Sequence, residues 1–83
     1  MRIISQLGMD FPYEQIIVFI DDNCVKCKPV SDMSAKSYFL GEYDTEERAQ
    51  EVFRSINTSY YNIPLMELGG ALYNQTTFVM PDK

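Results

Sequence analysis

Histidine is missing from this chain altogether, and cysteine occurs only at Cys24 and Cys27. The first absence removes the Ser-His-Asp and Cys-His arrangements, imidazole acid-base work and every zinc site with a histidine ligand. Basic residues are few as well: seven Lys and Arg stand against twelve Asp and Glu, for a net charge of −5. Nonspecific nucleic-acid binding is driven by Lys and Arg releasing counterions from phosphates, so direct nucleic-acid binding is not expected. Apolar runs are short, none approaching the 18 or so residues that cross a bilayer. The opening MRIISQLGMDF has one basic residue and no long apolar stretch of a signal peptide. No membrane association is expected, and the chain reads as cytoplasmic. Repeats, low-complexity tracts and linkers are also lacking, so residues 1–83 are read as a single domain.

What is present is apolar and aromatic. Hydrophobic residues make up 46% of the chain, with six Tyr and five Phe. A chain of this length buries only roughly 60% of the surface it exposes when unfolded. Eleven aromatics are more than such a core needs, so some should face a ligand or a second subunit. At least a dimer is expected, because a small domain with an uncovered sheet edge or apolar patch is commonly closed by symmetric pairing.

The clearest local signal is Asp44-Thr45-Glu46-Glu47 followed by Ala49, Val52, Phe53 and Ile56. Asp44 is the expected helix cap, with Glu47 three residues on, and the spacing i, i+3, i+4, i+7 lays one apolar stripe along a helix reaching about Asn57 or Tyr61. Phe53 is the largest side chain of that stripe, and its replacement by Ala is expected to cost about 3 to 5 kcal/mol. Strands are expected from Met1 to Gln6, from Gln15 to Asp21, from Cys24 to Val30, from Ser37 to Tyr43 and from Ala71 to Met80. Phe11-Pro12-Tyr13 reads as a turn. The run Ile16-Ile17-Val18-Phe19-Ile20 is apolar enough for the middle of a sheet. Asp22-Asn23 is a tight turn into a strand that places Val25 and Cys27 on one face and Lys26 and Lys28 on the other. Ser31 to Lys36 is an exposed loop, and Leu65, Met66 and Leu68 suggest a helical turn ended by Gly69-Gly70. The fold class that follows is α+β: a small antiparallel or mixed sheet of four to five strands with one main amphipathic helix packed on one face.

No constellation of residues dictates a reaction, so an enzyme is not expected, nor is a cofactor. Cys24 and Cys27 fit two thiols in one strand, where positions i and i+3 point to opposite faces. The alternative is a zinc site built from the paired thiolates of two chains. Asp21 and Asp22 are the paired carboxylates that a metal could use. Arg2, Lys26 and Lys28 could converge on a spot able to hold a phosphate, or serve as scattered solubilising charges. Tyr60, Tyr61 and Tyr73, with an amide such as Asn74, could stack a base and read its edge, or fill the core or a subunit interface. The acids around the helix start either mimic a phosphate backbone or complement the helix macrodipole.

The opening MRIISQ, PYEQ at residues 12–15, LGEYDTEERAQEVFRSI at residues 40–56 and the closing FVMPDK together resemble a group of short accessory proteins of Firmicutes phages and prophages. That group opens close to "MRIISQ…PYE" and enters its helix through "EYSTEEKA"; Asp44 stands where its cap is usually Ser. Cys24 to Lys36 and Asn57 to Gln75 have no counterpart in it. The resemblance implies a phage protein working inside the infected bacterium, with no activity attached to any residue. By analogy, small proteins of this kind act in counter-defence, and some are homo-oligomers that sequester a nucleotide-derived immune messenger, such as a cyclic ADP-ribose-like species or a cyclic dinucleotide, without hydrolysing it. For such a ligand the expected site is Arg2, Lys26, Lys28, Tyr60, Tyr61, Tyr73 and Asn74, shared between subunits, with no metal. The alternative is an acidic inhibitor that binds a host defence nuclease such as a CRISPR effector.

Overall fold

The computed structural model describes residues 1–32, 34, 36–62, 66–68, 71–73 and 76–83. The protein is α+β, and the described residues form one long helix and two three-stranded sheets rather than one sheet of four to five strands. In the first sheet β1 (Arg2–Ile4) lies between β2 (Asp10–Pro12), antiparallel to it, and β8 (Thr77–Val79), parallel to it. In the second, β4 (Cys24–Pro29) lies between β3 (Ile16–Asp21) and β5 (Tyr38–Glu42), antiparallel to both. Helix α1 spans Glu46–Asn62. A hairpin pairs β6 (Met66–Leu68) with β7 (Ala71–Tyr73), so the helical turn expected at Met66 is a strand. The expected stop at Gly69-Gly70 lies outside the described residues.

Several local expectations are corrected. Phe11 and Pro12 are in a strand, not a turn. Their strand is the sheet edge, where a missing proline N–H costs no ladder bond, and the chain turns only at the 3₁₀ segment Tyr13–Gln15. The Ile16 to Ile20 run is an edge strand, not a central one; the centre is the alternating β4. Ile16, Val18 and Ile20 pack against the core. Ile17 and Phe19 on the other face do not, and Ile17 is 40% exposed. The helix cap is Thr45 rather than Asp44: the Arg48 amide donates to Thr45 Oγ1 at 3.1 Å, and the Ala49 amide to the Thr45 carbonyl at 3.2 Å. With Arg48 at the third helical position, the reciprocal Glu bond of a capping box is not made.

The apolar stripe does what its spacing implies. Ala49, Val52 and Ile56 are sealed against Val25 and Cys27 of β4, Leu40 of β5, Ile3 of β1, and Met80 after β8. Phe53 sits on the flank of that stripe and is only half-buried, so the large cost expected for Phe53→Ala passes to Ile56 and Val52.

Gln6 joins the two sheets. Its amide donates to the Leu40 carbonyl at 2.8 Å, its side-chain oxygen accepts from the Glu42 amide at 2.8 Å, and its side-chain nitrogen donates to the Pro81 carbonyl at 2.8 Å. Tyr43 adds a hydroxyl donated to the same Pro81 carbonyl at 2.9 Å, and Asn23 donates to the Tyr43 carbonyl at 2.6 Å. No described helix is long and apolar enough to cross a membrane.

Candidate binding site

Where the two sheets meet at one end, β2, the start of β3, the end of β4 and the start of β5 enclose an open groove of about 680 Å³. This lies within the size range of ligand pockets. Its walls are mainly apolar, drawn from Met9, Phe11, Ile16, Pro29, Val30 and Tyr38. The Phe11 and Tyr38 rings lie 5.8 Å apart, tilted by 52°. The Val30 amide donates to the Gln15 carbonyl at 3.0 Å, tying the two sides together. Met9, Val30 and Tyr38 remain 47%, 52% and 45% exposed, so apolar surface is left uncovered within one contiguous depression. Among the described residues of the wall the polar side chains include Glu14, Gln15 and Ser31, and none is Lys or Arg. Glu14 is already engaged, accepting from the Met1 ammonium at 2.6 Å.

The residues singled out for a phosphate are dispersed. Arg2 lies in the first sheet and donates through Nε to Asp10 at 2.8 Å. Lys26 and Lys28 share the outer face of β4 in the second sheet. Lys26 pairs with Asp21 at 2.7 Å, and Lys28 stands over the Phe19 ring, 6.0 Å from its centroid. Two of the three cations are thus spent on carboxylates next to them.

The tyrosines do come together in part. Tyr60 packs against Tyr13 with centroids 4.8 Å apart and rings tilted by 40°, and meets Tyr61 edge-on at 5.8 Å, leaving Tyr61 81% exposed. Tyr13 donates its hydroxyl to Asn57 Oδ1 at 2.8 Å. Burial first, then the neighbouring Tyr61, Tyr60 and Glu14, pushes the Tyr13 phenol above its ordinary range, so it stays a neutral donor. The Tyr73 side chain and Asn74 lie outside the described residues.

Cys24 and Cys27 occupy one strand, as expected, and neither forms a disulfide. Cys27 is sealed in the core, and burial pushes its thiol up to about 11. Cys24 is half-buried, with its thiol beside Asn23 Oδ1 at 3.9 Å; burial and then Glu42 raise it too. A thiolate shared with a second chain would require Cys27 to leave the core. Iodoacetamide at pH 8 should therefore modify Cys24 first and reach Cys27 only after denaturation, as peptide mass mapping would register. Equal rates at the two sulfurs would contradict this burial. Asp21 is held by Lys26, and no group of three or more potential metal ligands occurs among the described residues.

The acids at the helix start, Asp44, Glu46 and Glu47, are exposed, and Glu51 accepts from Arg48 at 3.3 Å. Sequence reasoning missed the groove. A surplus of aromatics signalled an outward-facing surface, but nothing in the chain marked Met9, Phe11, Val30 and Tyr38 as neighbours. No protein-family model matches this chain, and neither a curated protein nor a solved structure is similar to it.

Proposed function

We propose that this protein is a non-catalytic binding protein, and that the groove between its sheets holds an apolar or aromatic segment of another protein. The observation that carries this reading is the lining: two aromatic rings, two prolines and aliphatic side chains with no cation among them. Buried aromatics in a pocket are the usual anchors of a protein interface. A phosphate in the same place would meet no counter-charge, in a protein already at −5. That charge favours a partner that carries Lys and Arg beside its apolar residues. The resemblance to phage accessory proteins makes the partner a host defence protein, a nuclease with its basic surface among the candidates.

One observation favours a second reading. The Tyr13, Tyr60 and Tyr61 rings form a cluster whose outer member, Tyr61, is exposed, a surface on which a base of a nucleotide messenger could rest. Sequestration would then work by mass action, lowering the free messenger without hydrolysing it.

Display of random peptides on the wild-type protein, with Tyr38→Ala as the counter-selection, separates the two. The first reading expects enriched sequences with an aromatic or aliphatic anchor beside Lys or Arg, lost on Tyr38→Ala. Absence of any Tyr38-dependent peptide, together with recovery of intact cyclic nucleotide after incubation and denaturation, would replace it with the second.

A further inference from the structure

We propose that two copies of this chain associate through the open edge of β3, in an antiparallel pairing centred on Val18 that makes one six-stranded sheet from two. Among the described residues the strand is the terminal member of its sheet, yet its sequence Ile16-Ile17-Val18-Phe19-Ile20 is apolar on both faces. An exposed apolar edge is a template for another strand, and natural proteins ordinarily blunt it with a charge, a proline or a bulge. Among the described residues of β3 only the terminal Asp21 is charged, and its register shift-free pairing with β4 leaves the edge regular.

The backbone fixes the register. The two-residue turn Asp22-Asn23 closes on Asp21 opposite Cys24, and such a turn closes on a hydrogen-bonded pair. Asp21, Phe19 and Ile17 therefore direct their N–H and C=O groups to β4, while Val18 and Ile20 direct theirs outward. Ile16 offers its carbonyl outward, its amide being spent on the Tyr13 carbonyl. A two-fold axis perpendicular to the sheet at Val18 satisfies these groups reciprocally. Val18 N–H meets the Val18 carbonyl of the second copy, and Ile20 N–H meets the second copy's Ile16 carbonyl. On the core face Ile16 opposes Ile20 across the junction; on the other, Ile17 opposes Phe19. Each pair from Ile16 to Ile20 is apolar, and at the two ends the same register sets Asp21 opposite Gln15 of the second copy.

The helix supports the same axis. Helix α1 rests on β3 and β4, so pairing through β3 sets the two helices two strand spacings apart, about 10 Å, which is the separation of packed helices. Phe53 lies on the flank that carries Asn57, bonded to Tyr13 just ahead of β3; the opposite flank carries Arg48, which reaches the Tyr43 ring and the Lys83 carbonyl. The half-buried Phe53 is thus on the side where the second helix arrives, which adds cover to this large side chain beyond that of the described residues of its own chain.

Light scattering at micromolar concentration is expected to give twice the 9.6 kDa of one chain. Ile17→Glu places a carboxylate against Phe19 of the second copy, while Lys28 beside it in its own sheet favours the folded monomer; the mass should fall by half with the circular dichroism unchanged. In a mixed sample of labelled and unlabelled wild-type chains, an intermolecular contact between the α-protons of Ile17 and Phe19 fixes the register even if the variant does not fold. A wild-type mass of one chain, a dimer that survives Ile17→Glu in folded form, or a dimer without the Ile17–Phe19 contact would each overturn the proposal.

Discussion

Ile56→Ala is expected to destabilise the protein by about 2 to 5 kcal/mol, the range for truncating a buried aliphatic side chain. Ile56 is fully buried at the point where helix, β4 and β1 share one core, so the lost methyl groups leave a void that three elements would have to close together. Phe53→Ala removes a larger side chain, but one that is half-buried beside that core, and its effect on the folding of one chain should be smaller. Thermal or urea unfolding of the two variants side by side reads the order directly. A larger loss for Phe53→Ala under conditions where the chain is monomeric would mean that Phe53, rather than Ile56, faces the core.

Gly41→Ala should cost about 1 to 3 kcal/mol, although it adds a single methyl group. A Cβ at Gly41 would stand 2.8 Å from the Tyr43 hydroxyl and 3.2 Å from both Met80 Cε and Gln6 Cδ. The hydroxyl has no room to yield, because Tyr43 is buried and donates to the Pro81 carbonyl. The methyl therefore pushes on the bonds that hold the two sheets and the C-terminal segment together. Tyr43→Phe removes that oxygen, so combining it with Gly41→Ala should cost clearly less than the sum of the two single changes. Strict additivity in a double-mutant cycle of unfolding free energies would contradict the crowding.

The helix was legible from Ala49, Val52 and Ile56 because burial on one side of a helix imposes a period that few other arrangements share. The alternation of β4 was legible for the same kind of reason. The position of β3 was not: Ile16 to Ile20 is apolar on both faces, and apolarity alone does not say whether the second face and the edge meet another strand of the same chain or of another. The cap moved by one residue because Asp44 and Thr45 are both good caps, and only the geometry decides whose oxygen reaches the Arg48 amide. The groove is built from three segments distant in sequence, brought together by the joining of the two sheets at Gln6, so no local pattern could have indicated it.

Chemical-shift mapping during titration with the peptide most enriched by display tests directly that the groove is the working surface. The largest changes should fall on Phe11, Val30 and Tyr38, and Tyr38→Ala should weaken binding at least about tenfold, or about 1.4 kcal/mol, without unfolding the protein. Changes confined to Tyr60 and Tyr61, or affinity unaltered by Tyr38→Ala, would contradict it.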